Sequence, residues 1–253
     1  MIRAEWIKMW SVRAPAGALL VLVGSTALFG AMFGLARARQ WTSEEVFDPA
    51  QASLACVILT QIAAVTLGVL SITAETATAT IRSTLAARPQ RARLLAAKAL
   101  LVGSATLVTG VAASLLAFLA GQPVIADQGA PRAFLTDPGV PRAILGGGLY
   151  LCAAALIGLA LGVLLRSTAA AITTGIGLLL LIPLFASAMP ATLARWVIGY
   201  WPSAAGLRIL TTVPDPTTAG VLSSGPWPGF ALLAAATAAL LLLAAAVLHR
   251  RDL

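Results

Sequence analysis

The chain is expected to be an all-α integral membrane protein with six transmembrane helices. It is 59% hydrophobic and only 10% charged. It holds six apolar runs of about 20 residues, the length a helix needs to cross the hydrocarbon core of a bilayer. These runs are apolar on all sides, where a soluble domain would show polar faces at a period of 3.6 or 2. One such run fits a buried core helix equally well; six in a chain of 253 residues argue against that.

Residues 1–14, MIRAEWIKMWSVRA, place Ile2, Trp6, Met9 and Trp10 on one helical face, with Arg3, Glu5, Lys8 and Ser11 around the rest. This pattern predicts an N-terminal amphipathic helix lying in the membrane interface. The first span is expected at 15–36. It is longer than the 7–15-residue apolar core of a signal peptide, so it reads as a retained span. The others are expected at 50–73, 95–120, 142–165, 168–189 and 228–248. Asp48-Pro49 and Asp137-Pro138 each pair a capping carboxylate with proline in a first helical turn, which predicts helix starts nearby.

A polar segment, 74–94, separates spans two and three. Between spans five and six lies an outer segment, 190–227. There Leu193, Trp196, Val197, Tyr200 and Trp201 follow i, i+3, i+4, i+7, i+8 spacing and share one face. Tryptophan and tyrosine favour the membrane interface, so Trp196, Tyr200 and Trp201 form either a plain aromatic belt or a short helix or hairpin capping an outward exit. No internal repeat or low-complexity linker divides the chain, so residues 1–253 read as one domain, and a symmetric pathway would need a second chain. GxxxG occurs at Gly30–Gly34 and Gly158–Gly162, a spacing that lets helices approach closely.

With six spans the loops fall into two sets. One carries Arg3, Lys8, Arg13, Arg82, Arg88, Arg91, Arg93, Lys98, Arg166, Arg250 and Arg251; the other carries Arg37, Arg39, Arg132, Arg142, Arg195 and Arg208. The excess of basic residues on the first set places it, with both termini, in the cytoplasm. The acidic residues cancel the second set and leave the net charge of +8 on the first. Membrane orientation therefore accounts for the basic balance, and no nucleic-acid partner is needed.

Several chemistries have no residues to carry them. Neither Lys8 nor Lys98 follows a GxxxxG pattern, so there is no P-loop and no ATP hydrolysis by that route. GxSxG, HExxH and paired carboxylates are missing, which argues against an enzyme. Cys56 and Cys152 lie in apolar runs with no Cys/His cluster, so neither a metal site nor a disulfide framework is expected. His249 belongs to a basic C-terminus beside Arg250 and Arg251. The span centres lack ionisable groups, which disfavours an ion-coupled carrier. Thr60, Gln61 and Thr66 are the polar content of span two; they either face a pathway or bond to a neighbouring helix.

The stretch LGVLSITAETATATIRSTLAARPQRARLLAAKAL resembles the permease subunits of ABC-2 type transporters, in which a Glu-x-x-x-Gly-Thr-Ile-Arg pattern precedes a short cytoplasmic helix and a basic run into span three. The matching positions are Glu75, Thr80, Ile81 and Arg82, then Pro89, Arg91 and Lys98; Ala79 stands where the pattern has glycine. EWIKMWSVRAP, GLALGVLLRSTAAAI with Arg166, YWPSAAG and LHRRDL extend the resemblance over most of the chain.

The resemblance implies an exporter fold with a cytoplasmic coupling helix between spans two and three. It implies two permease chains, as a homodimer or heterodimer in the cell membrane, and two separate ABC ATP-binding subunits that hold ATP and magnesium. This chain itself would bind no cofactor. The implied ATPase-coupling residues are Glu75, Thr78, Thr80, Ile81, Arg82, Thr84, Leu85, Pro89, Arg91 and Arg93, with Arg166 in a second cytoplasmic loop. The residue chemistry is compatible: Thr78 or Thr80 suits an N-cap, Pro89 suits a first turn, and Glu75 suits either free helix N–H groups or Arg82. An amphiphilic small molecule, drug, antibiotic or peptide is the expected substrate. Lipid or polysaccharide export, and a non-transporting membrane scaffold whose basic loop binds lipid headgroups, are the alternatives.

Overall fold

The computed structural model describes residues 13–42, 46–77, 91–213 and 225–250; for 13–16, 18, 19, 21, 74–77, 91, 92 and 187 it describes the backbone alone. The interfacial helix expected at 1–12 lies outside these residues. Among the described residues the chain is all-helical: α1 (Arg13–Gln40), α2 (Pro49–Leu54), α3 (Val57–Ala77), α4 (Arg91–Asp127), α5 (Val140–Leu165), α6 (Thr168–Leu184), α7 (Ala191–Tyr200), α8 (Pro202–Gly206) and α9 (Pro226–Arg250). A π-helical turn, Gly177–Leu181, interrupts α6, and a 3-10 turn, Leu207–Leu210, follows α8.

Four stretches are long and apolar enough to cross a membrane: Pro49–Thr73, Arg93–Asp127, Val140–Leu165 and Pro226–Arg250. They correspond to the expected second, third, fourth and sixth spans. α1 lies where the first span is expected, and α6, a shorter apolar helix, where the fifth is.

The helices overrun the expected spans where the sequence favours helix. α3 continues through Ala74, Glu75, Thr76 and Ala77, and α4 runs from Arg91 past Pro123 to Asp127. The second span is broken instead at Ala55-Cys56, between α2 and α3. Asp48 caps α2 as expected, its carboxylate accepting from Gln51 N at 2.9 Å with Pro49 following. Asp137 does not cap α5. Its carboxylate closes a turn from Phe134 N at 2.8 Å, and α5 starts later, from Gly139 at φ 88, with Pro141 in its first turn. A left-handed residue at 139 bends the chain between Pro138 and Pro141, which glycine alone allows cheaply.

α5 is the central post, and its glycines are where neighbours meet it. A methyl group added at Gly158 would overlap the Val65 carbonyl on α3, and one added at Gly68 of α3 would overlap the Ala155 carbonyl on α5. These two backbones are in direct contact, the closest approach two helices make. On other faces of α5, Gly148 receives Val111 of α4, and Gly146 receives Ile209 of the 3-10 turn. Both GxxxG pairs lie in such crossings: Gly30 meets Ala117 and Gly34 meets Ile125 between α1 and α4, while Gly162 meets Ile72 between α5 and α3.

The bundle has two distinct ends. One gathers the last turns of α1 and α4, the start of α2 and the start of α5 around Asp48, Gln122 and Arg142. At the other, Ile72, Leu95, Leu159, Val163 and Ala244 pack α3, α4, α5 and α9 together. From the first end, α7, α8 and the 3-10 turn form a re-entrant hairpin. Ser203 and Ala205 of α8 are buried, and the chain then returns along α5, with Ile209 on Gly146 and Arg142 bonded to Thr211 O. Tyr150 is ten residues into α5, a depth of about 15 Å at 1.5 Å per residue.

Substituting Gly68 by valine should weaken the fold by about 1–3 kcal/mol or abolish it, because the added atoms meet backbone that cannot yield. The same change at Gly24, where nothing lies within 4 Å, should leave stability unchanged. Thermal unfolding of the two variants in detergent, followed by size-exclusion chromatography, reads the difference.

Candidate functional site

Three features carry chemistry: the α3–α4 hairpin, a polar seam inside the bundle, and the Asp48 end with its cavity.

In the hairpin, Glu75 falls in the last turn of α3 and Arg91 opens α4. The side chains of both, and all of Thr78, Thr80, Ile81, Arg82, Thr84, Leu85 and Pro89, lie outside the described residues. Arg93 is exposed on the first turn of α4. Lys98, offered by the sequence as a headgroup anchor, is turned inward. It is 5% exposed, and its Nζ donates to Ser71 O of α3 at 3.0 Å. A charge-assisted bond of this kind clips the two limbs of the hairpin just below the 78–90 segment. Arg166, also exposed, sits at the same end in the left-handed conformation (φ 55), its N–H bonded to Gly162 O. Ser167 then caps α6 by accepting from Ala170 N at 3.3 Å, so only two residues join α5 to α6.

The polar seam contains two of the three residues singled out in span two. Thr60 is 2% exposed; its hydroxyl donates to Cys56 O at 3.0 Å and accepts from Thr26 of α1 at 3.1 Å. Gln61 is 1% exposed; its Nε2 donates to Ile58 O at 2.8 Å, and its Oε1 accepts from the fully buried Tyr150 hydroxyl at 2.7 Å. In an apolar interior each of these groups would be costly without its partner, so the seam ties α3 to α1 and α5 at fixed register. Thr66 is half-buried and bonds back to Ile62 O at 2.8 Å. Sequence reasoning missed Tyr150, whose signal was a lone tyrosine in an otherwise apolar span.

At the Asp48 end one carboxylate does several jobs. Besides capping α2, Asp48 accepts from the Thr212 hydroxyl at 2.7 Å, from Val213 N at 2.9 Å and from Thr212 N. This fixes the return of the hairpin to the start of α2. Gln122 makes a second clip: Nε2 donates to Pro49 O at 2.9 Å and to Ser53 Oγ at 2.8 Å, and Oε1 accepts from Ala133 N at 2.8 Å. Beside Asp48 lies a cavity of about 510 Å³, lined in part by Phe33, Val46, Arg37, Gln40 and Gln51.

The aromatic residues of the segment between α6 and α9 divide. Trp196 and Tyr200 are exposed on α7 together with Leu193, while Val197, expected on the same face, is turned inward at 5% exposure. Trp201 ends the helix half-buried, its ring edge-on to Trp196 with centroids 6.2 Å apart, and its Nε1 donates to Leu178 O at 2.7 Å.

Among the described residues no group of three or more His, Cys, Asp or Glu side chains is placed to hold a metal ion. Changing Tyr150 to phenylalanine leaves Gln61 Oε1 without its donor and should cost about 1–3 kcal/mol. Adding Gln61→Leu should recover part of that loss, a coupling that a double-mutant cycle of detergent-melting temperatures measures. No known protein family and no curated protein matches this chain.

Proposed function

We propose that this chain is the membrane-spanning subunit of an ATP-driven exporter of the ABC-2 type. In this reading six spans cross the cell membrane with both termini in the cytoplasm, and a second permease chain completes the pathway. Two separate ATP-binding subunits, carrying ATP and magnesium, dock on the segment between α3 and α4.

The observation that carries the proposal is the position of Glu75. It ends a helix whose backbone touches the central post through Gly68, and it stands directly before the segment that resembles the coupling element. Force applied at residues 78–90 would pass into α3, and from α3 into α5, without a compliant joint. The Lys98 clip supports this by holding α4 to the same helix. The distribution of basic residues favours the cytoplasmic side for this end, and the missing P-loop is consistent with hydrolysis on another chain. An amphiphilic molecule, drug or peptide suits the cavity beside Asp48, whose lining mixes apolar and polar side chains.

Replacing Glu75 by alanine, or deleting residues 80–85, should abolish substrate-stimulated ATPase activity of the reconstituted complex while membrane insertion is unaffected. Unchanged stimulation would sink the coupling role. Purification in mild detergent gives the complementary check: a P-loop protein should accompany the chain, and a chain that purifies alone would favour a scaffold.

A further inference from the structure

The π turn in α6 has an unusual hydrogen-bond account. Ile182 N–H bonds to Gly177 O, five residues back. That shift deprives Leu178 O of its ordinary α-helical donor, the Ile182 N–H. Its donor at π spacing would be residue 183, which is proline and has no N–H. The carbonyl is therefore orphaned within its own helix, and Trp201 Nε1 supplies the missing donor at 2.7 Å. Ordinary α register has resumed by Phe185, whose N–H bonds to Leu181 O at 3.0 Å.

The two parts on either side of the π turn are held differently. Before it, Ala171 and Gly175 are buried against the bundle, and within it Leu179 is buried while Leu181 is exposed. After it, Leu184 and Phe185 are exposed, as are Leu193 and Trp196 on the following α7, with Ala186 and Val197 turned inward. The other segments meeting at this end are fastened by Asp48, Gln122 and Arg142. The indole bond ties the π turn to the end of α7, while α7 itself is held to the 3-10 turn by Arg208, which donates to Ile198 O at 3.0 Å.

We propose that the π turn is a hinge and the Trp201–Leu178 bond its latch. With the bond made, the distal turn of α6 and α7 lie closed on the bundle. With it broken, the distal turn of α6 swings about Gly177–Leu181, while α3, α4 and α5, and α7 on its Arg208 bond, stay in place. The use of this motion to open an outward exit rests on the exporter reading; the latch itself does not.

The test is hydrogen–deuterium exchange on the full chain in lipid nanodiscs. Trp201→Phe keeps the ring and removes the donor. Exchange in 179–186 should rise roughly fivefold, the loss of one ordinary hydrogen bond, with α3, α4 and α5 unchanged. Pro183→Ala restores a backbone donor beside Leu178 O, so the double variant should regain protection there. Unchanged exchange in Trp201→Phe, or an equal rise in every helix, would overturn the proposal. Should Trp201→Phe not fold, the double variant decides: it should fold, because its carbonyl no longer needs the indole, and its failure would also overturn the latch. Exchange that loosens locally in a chain that binds no ATPase would keep the latch and remove the exporter reading.

Discussion

The contact of the α3 and α5 backbones through Gly68 and Gly158 is the constraint on which the rest of the bundle is built. Two helices this close leave no side chain between them, and α5 brings two further neighbours in closely where it again lacks a Cβ. It does so at Gly146 for the re-entrant hairpin and at Gly148 for α4. The 18-residue window of α5 is 72% buried inside the single chain, against 17% for α9. Packing of this kind needs no water to drive it. It rests on dispersion over closely matched surfaces, which suits a protein whose surroundings are as apolar as its interior.

Close packing raises the cost of every irregular backbone group, since no solvent is at hand to bond it. Among the described residues the irregular places include the start of α2, the π turn, and the re-entrant hairpin. Side chains meet backbone carbonyls at each: Gln122 takes that of Pro49 at the start of α2, Trp201 that of Leu178, and Arg208 that of Ile198 at 3.0 Å. Arg208 is only 8% exposed, so its charge serves the interior of the hairpin rather than the surface.

Helical class, and four of the expected spans, were legible because apolar length is a property of one segment at a time. The cap at Asp48 was legible for the same reason, being a dipeptide signal. Its second set of donors, Thr212 and Val213, was not, since nothing near Asp48 in sequence points to residues so distant. Gln61 stood out as a polar residue in an apolar run, but choosing between a pathway and a neighbouring helix required Tyr150, which lies on another span. The π turn was hidden because Pro183 near the end of a run reads as an ordinary helix stop. The expected face of α7 failed at Val197 because periodicity assigns a stripe and only the neighbours decide which way it turns.

The Asp48 clasp joins residues separated by 164 and 165 positions. A ribosome adding about 5–20 residues per second needs roughly ten to thirty seconds to produce the second half of that pair after the first. During this interval α1, α2, α4 and α5 already have their glycine contacts available, while the Asp48 carboxylate has only the α2 cap as partner. The clasp is therefore a late event in biogenesis. It closes the part of the bundle that precedes it, with α9 still to follow, and a chain truncated before Thr212 would lack both the clasp and α9.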